Sequence, residues 1–297
     1  FYQLDTFNVN LEKDLVLLNG KLSAQNPLQG FDLEIKLNVE NLAKFNSLAG
    51  QTLPDAGPLL VNGHISEKDG IYLFRGVNAE LPKSKLSIDG KLTDLKKTDG
   101  SDLNINFQST SLAELNGFIG SELPALGPVS LIANVSDRKG SYHLQDIKFK
   151  ADKTDMTSTM IINIKGDRLA MTATLKSDLI DLTPFESDKK EEKKVKKTRV
   201  FPANPLPLDN LKSMDANLDI IAKKIKTRDL DLDNVKLVMT LTNGKLALKP
   251  LNADMGGGNF AVQMDLDASN PKTAQLNTKI DIKKVQPSSL PDYKDKI

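Results

Sequence analysis

Apolar and polar residues alternate along most of this 297-residue chain. Leu33, Ile35, Leu37 and Val39 alternate with Asp32, Glu34, Lys36 and Asn38. The pattern recurs in Leu103, Ile105 and Phe107, and in Val129, Leu131, Ala133 and Val135. It returns in Met156, Met160, Ile162 and Ile164, then in Leu169, Met171, Ala173 and Leu175. Further on it runs through Val235, Leu237, Met239 and Leu241, and through Phe260, Val262, Met264 and Leu266. Successive side chains of a strand point to opposite faces, so this spacing predicts strands with one apolar face. Asp-Gly, Lys-Gly and Asn-Gly steps at 69–70, 89–90, 99–100, 139–140 and 243–244 fall between the apolar runs. Such steps supply the positive φ angles of tight hairpins, which predicts an antiparallel meander.

From Phe1 to Phe185 the sequence also repeats at a spacing of 70. Gly20-Lys21-Leu22 recurs as Gly90-Lys91-Leu92; Leu53-Pro54, Gly57-Pro58 and Gly70 recur as Leu123-Pro124, Gly127-Pro128 and Gly140. Leu42–Phe45, Leu112–Leu115 and Leu182–Phe185 fall in one register. A sequence repeat implies one supersecondary unit stacked on its copies, hence an elongated body. In Asn41–Ala49 and Ser111–Ile119 the apolar residues fall at spacing three, ahead of Gly50 and Gly120, which predicts a short helix. Each copy of the repeat therefore reads as four or five strands and one small helix. The whole chain would hold roughly sixteen to eighteen strands, more than open twisted sheets usually reach without curling.

Character changes after Phe185. The run Lys189–Lys197 is lysine with interleaved glutamate and a lone Val195 and cannot build a core, so residues 187–204 are expected to be a charged, disordered linker. A patch for anionic headgroups or nucleic acid is the less favoured reading, since no aromatic residue is interleaved. The expected domains are repeated β units over 1–186, the linker, a second β block over 205–286 and a tail over 287–297. The second block opens on Pro205–Leu211, a plausible short helix with Pro at its start.

Chemistry is sparse. There is no cysteine, which excludes disulfides, thiol catalysis and Cys-based metal sites. Basic and acidic residues number 40 and 39 and are spread along the chain, so no nucleic-acid partner is expected. No run of about 18 apolar residues is present, which leaves no membrane-spanning helix in this sequence. The chain begins at Phe1 without a signal-like segment, and an anchoring segment is expected to be missing. His64 and His143 miss the register of the repeat, and neither belongs to a His-x-His or HExxH spacing. Asp229, Asp231 and Asp233 resemble the start of a calcium loop, but Asn234 and Thr240 stand where its Gly and Glu would be. Gly256-Gly257-Gly258 lacks phosphate-loop spacing and precedes a strand, so a bulge or turn is expected there. The reading is a non-enzymatic protein without cofactor or metal.

What remains is the apolar face. One small helix per repeat cannot cover such a sheet. The expected fold is therefore all-β with a few short helices, an elongated, curled antiparallel sheet whose apolar face forms a groove; a closed sandwich or barrel is the alternative. Leu33, Ile35, Leu37, Leu103, Ile105, Phe107, Val235, Leu237, Met239, Phe260, Val262 and Met264 are the candidate lining.

The second block resembles the AsmA family of Gram-negative envelope proteins. Four stretches carry the resemblance in order: Asn204–Leu211, Met214–Lys224, Leu232–Leu248 and Asp254–Asp265. They comprise a proline-flanked leucine start, an aspartate-rich strand, a short Asp-Asn-Val turn, a Leu-x-x-Gly-x-Leu hairpin and glycines before a strand. Ser177–Phe185 resembles the family's upstream region more loosely. The resemblance implies a periplasmic body tethered to the inner membrane, similar to TamB and to bridge-like lipid-transfer proteins. It also implies binding of phospholipid or another acyl-chain lipid, with envelope protein partners, in lipid transfer supporting outer-membrane biogenesis. The alternative is a periplasmic scaffold or regulator of outer-membrane assembly with a closed β core.

Overall fold

The computed structural model describes residues 2–11, 14–23, 29–46, 52, 54–93, 100–116, 123–138, 140–164, 168–185, 211–228, 230–270 and 273–286. Among them are sixteen β-strands and three short 3-10 turns, and no longer helix. Two compact units divide the chain: Phe1–Asp152 with Thr157–Thr159, and Lys153–Met156 with Met160–Ile297.

The first unit contains β1 (Tyr2–Leu11), β2 (Asp14–Leu22), β3 (Asp32–Val39), the turn η1 (Leu42–Phe45), β4 (Leu59–Lys68), β5 (Ile71–Leu81) and β6 (Ser84–Thr93). After these come β7 (Asp102–Ser109), η2 (Leu112–Leu115), β8 (Val129–Arg138) and β9 (Ser141–Ala151). Each strand pairs antiparallel with the one before it. β3, η1, β4 and β5 start at Asp32, Leu42, Leu59 and Ile71; β7, η2, β8 and β9 start at Asp102, Leu112, Val129 and Ser141, each one full repeat further on.

Of the expected helices the structure describes the first turn, a 3-10 turn running as far as Asn46 and Asn116. Their spacing of three is the 3-10 period itself. Asn41 and Ser111 cap them, accepting from the amides of Ala43 at 2.8 Å and Ala113 at 3.2 Å. The Leu42 and Leu112 amides donate outside the turn, to Ala56 O at 2.9 Å and Leu126 O at 2.7 Å. Each turn is thus tied to the chain leading into the next strand.

Glycine does two different jobs here. Asp69 and Gly70, at φ 54° and 79°, make the expected tight turn between β4 and β5. Asp89-Gly90 makes no turn and lies inside β6, correcting the sequence reading. A Cβ on Gly90 would sit 2.0 Å from Asp102 O, and one on Gly20 would sit 1.9 Å from Asp32 O. Glycine stands at both positions because the next strand's backbone comes too close for a side chain. Asp99 and Lys139, which open two further glycine steps, lie outside the described residues.

The second unit contains most of β10 (Thr154–Asn163), then β11 (Leu169–Asp181), η3 (Thr183–Phe185), β12 (Met214–Lys226), β13 (Asp231–Thr242), β14 (Lys245–Met255), β15 (Gly258–Asp267) and β16 (Gln275–Lys283). β12 through β16 pair antiparallel in order. Asn243-Gly244 and Gly256-Gly257, all at positive φ, turn β13 into β14 and β14 into β15, as the sequence suggests.

One pairing departs from the expected meander. β11 and β12 are parallel, through twelve paired residues from Leu169 with Met214 to Asp181 with Lys226. Parallel neighbours cannot be joined by a hairpin, and a long crossover is required. The chain between Asp181 and Met214 supplies it. The charged stretch at 187–204 and Pro205–Asn210 fall in that connection, outside the described residues; the tail at 287–297 lies outside them as well.

Fully buried apolar residues are few and small. Leu126, Val129 and Ala151 form one cluster, flanked by Phe107, Leu112 and Phe149. Ala222, Val235 and Ala253 form another, flanked by Ile180, Leu251, Phe260 and others. Among the described residues Val235 is the only large side chain less than 2% exposed.

Candidate functional site: the apolar faces of the β units

Register decides which side chains share a face, because directly opposed residues of neighbouring strands lie on the same side. In the first unit Val16, Leu37, Val61, Ala79, Leu86, Phe107, Leu131 and Phe149 are paired in succession from β2 to β9. A second row runs parallel to it through Gly20, Leu33, Ile65, Phe74, Gly90, Leu103, Val135 and Leu144. Between the rows lie Leu18 with Ile35, and Val77, Ile88, Ile105 and Ala133 in sequence. All six candidates of this unit, Leu33, Ile35, Leu37, Leu103, Ile105 and Phe107, therefore stand on one unbroken apolar face.

The second unit repeats the arrangement across its parallel pair. Met171, Ala216, Leu241, Leu246, Leu266 and Leu276 form a row from β11 to β16. Ala173, Leu218, Met239, Leu248 and Met264 form the next, and Leu175, Ile220 and Leu237 lie beside it. Ala253, Phe260 and Ile282 form another row, as do Leu251, Val262 and Ile280. Val235 pairs with Ala222 on the same side. All six candidates here, Val235, Leu237, Met239, Phe260, Val262 and Met264, share this face.

Leu33, Leu103 and Val235 are buried, and the other nine candidates are half-buried. At the end of the first unit's face that carries η1 and η2, Leu42, Leu59, Ala79, Leu86, Phe107 and Leu115 bound a cavity of about 350 Å³. Sequence reading missed several members of the face, among them Leu86, Ile88, Leu218 and Ile220. Their signal was present as alternation in Leu86-Ser87-Ile88 and Leu218-Asp219-Ile220.

The polar residues singled out in the sequence belong elsewhere. His64 Nε2 lies 2.6 Å from Asp32 Oδ1, on the face opposite the candidates. Asp231 and Asp233 bracket Lys224, at 3.3 and 3.2 Å. Asp229 lies outside the described residues. Among the described residues no group of three His, Cys, Asp or Glu side chains is placed to hold a metal ion, and no helix is long and apolar enough to cross a membrane.

A carboxylate network holds the edge of the first unit's face. Asp137 Oδ2 accepts from the Thr93 and Ser101 hydroxyls, both at 2.7 Å. Asp137 Oδ1 accepts from the amides of Gly100 at 2.5 Å and Ser101 at 3.0 Å. Burial alone would raise the Asp137 carboxyl; these hydrogen bonds outweigh it and hold the group below its ordinary value. Glu67, the equivalent of Asp137 in the preceding repeat, likewise accepts from the Gly30 amide and, at 2.6 Å, from the Gly70 amide.

Residues 181–292 match the AsmA family, a span that contains β12 to β16 whole. This part of the chain belongs to the AsmA family. AsmA family protein YhjG of Escherichia coli (strain K12) is 25% identical over 242 residues, covering 71% of this chain and 35% of that protein. The chain thus spans about a third of that relative's length. No solved structure matches. Within the AsmA match fall the candidates from Val235 to Met264, whereas those from Leu33 to Phe107 precede it.

Proposed function

We propose that this AsmA-family chain holds the acyl chains of lipids against the apolar faces of its units, and serves lipid transfer in the envelope in support of outer-membrane biogenesis. It would work in the periplasm, tethered to the inner membrane in the full-length protein. The observation that carries the reading is the eight-strand apolar row from Val16 to Phe149, which among the described residues has only 3-10 turns beside it as cover. A sealed sandwich would bury such a row, yet Leu37, Leu86, Phe107 and Leu131 are half-buried. Lipid tails suit an unsealed apolar face, since each CH₂ removed from water gains about 0.8 kcal/mol. The family match supports an envelope setting.

Native mass spectrometry of the purified chain, with titration of a fluorescent fatty acid, tests the reading. Bound phospholipid and saturable probe binding are expected. Ile105→Lys, on the apolar face, should weaken the probe about tenfold, equivalent to about 1.4 kcal/mol or roughly two CH₂ contacts. Asn106→Lys, one residue along on the opposite face, should leave it unchanged. No copurifying lipid and no probe binding would sink the proposal and favour a sealed scaffold.

A further inference from the structure

The last strand of the second unit presents an unusual edge. β16 pairs with β15 through nine consecutive residues without a bulge, and all nine are exposed. Leu276, Ile280 and Ile282, which continue the apolar rows, are 45%, 59% and 55% exposed. Natural sheets blunt their edges with charged side chains, proline, bulges, short strands or a covering segment, and of these β16 carries only charges, of both signs. β16 has no proline and no bulge. Its charges, Lys279, Asp281 and Lys283, alternate with the apolar residues on the other face.

We propose that the outer edge of β16 pairs with β16 of a second copy of this chain, antiparallel about a two-fold axis through Ile280. Such an axis, perpendicular to the sheet, keeps both apolar faces on the same side. Charge complementarity selects the register. With Ile280 opposite Ile280, Lys279 meets Asp281 twice, Thr278 meets Ile282 and Asn277 meets Lys283. Centring the pair on Lys279 or on Asp281 sets that charge against its own copy, which destabilises a strand pair. Centring on Thr278 brings no opposite charges together, and centring on Ile282 leaves only Asp281–Lys283 overlapping. Asp281 meets Lys283 at 3.1 Å along its own strand, while Lys279 has no ion pair among the described residues.

Residues 284–286 turn away from this edge. After Lys284, at φ 58°, the Gln286 amide donates to Gly256 O at 3.1 Å. A Cβ on Gly258 would lie 2.2 Å from Lys283 O and 2.4 Å from Val285 N. Residues 284–286 thus fold back over the β14–β15 turn, on the inner side of β16.

Sedimentation equilibrium of the chain at micromolar concentration tests the pairing. The wild type should be dimeric. Lys279→Asp should weaken the dimer at least tenfold, and adding Asp281→Lys should restore it by reversing the pairs; circular dichroism confirms that each variant folds. Because the chain lacks cysteine, Ile280→Cys should oxidise to a disulfide-linked dimer, its facing Cα atoms lying within the span a disulfide bridges. Leu276→Cys, which faces Lys284 in this register, should not. A monomeric wild type, a dimer indifferent to Lys279→Asp, or equal cross-linking at both cysteines would overturn the proposal. None of these readouts depends on lipid.

Discussion

Arg168 Nη2 and Asp215 Oδ2 meet at 2.9 Å where the parallel strands β11 and β12 begin. Arg168 Nη1 also donates to Asn243 Oδ1 at 2.7 Å, and Asp215 Oδ1 accepts from the Asn243 amide at 2.9 Å. Two side chains thereby join the start of β11, the start of β12 and the β13–β14 turn. No hairpin sets the register of this parallel pair, so these bonds are its local determinant at this end. Asp215→Ala should destabilise the fold by about 0.5–1.5 kcal/mol, because it also removes the acceptor of the Asn243 amide at an exposed turn where water takes its place. A double-mutant cycle with Arg168→Ala should give a coupling of about 0.5–1 kcal/mol, both groups being only partly buried. Urea unfolding measures both, and a coupling indistinguishable from zero would remove the ion pair from this role.

Asp137 makes acid stability testable. Its folded value lies below the ordinary 3.8, so its contribution is complete above about pH 3.8 and disappears as pH falls through the lowered folded value. Asp137→Asn should lose about 1–3 kcal/mol at neutral pH, since the hydrogen bonds to a charged acceptor go. The wild type and the variant should converge in stability as pH drops below 3.8. Denaturant midpoints measured between pH 7 and pH 3 check this, and a gap that stays constant with pH would contradict it.

Two glycines with positive φ should respond differently to the same substitution. Gly90, at φ 117°, has Asp102 O 2.0 Å from where a Cβ would stand, whereas Gly76, at φ 57°, has nothing within 4 Å. Gly76→Ala should cost about 1 kcal/mol of backbone preference alone. Gly90→Ala should cost more than about 3 kcal/mol or prevent folding, because β6 and β7 must separate. Thermal melts of the two variants decide, and equal shifts would show that close approach does not explain Gly90.

Most of the fold was legible because strand periodicity is a local property. Leu33, Ile35 and Leu37 declare one face by alternation alone, and their partners Val61 and Ile65 lie at the paired positions. Gly90 was misread because the same dipeptide serves a hairpin at Asp69-Gly70 and a strand crowded by its neighbour at Asp89-Gly90. Only the position of Asp102 distinguishes them, and that is tertiary information. The parallel pairing was illegible for a related reason. Lysine and glutamate at 189–197 carry an expectation about solvation, and nothing about the end of the sheet to which the chain returns. Asp137 escaped notice because its partners, Thr93, Gly100 and Ser101, belong to a different strand end and carry no motif.

The strand count between the two caps has a consequence for how such a molecule can change length. From η1 to η2 the chain passes through β4, β5, β6 and β7, an even number. An even count returns the chain to the same end of the sheet, so both caps stand at that end and the apolar side keeps its orientation. Duplicating or deleting one whole repeat would widen or narrow the first unit by roughly 19 Å, four strands at about 4.8 Å each, and alter nothing else in the plan. An odd number of strands would send every second cap to the opposite rim. Parity thus lets gene duplication act on this protein as a change of size alone.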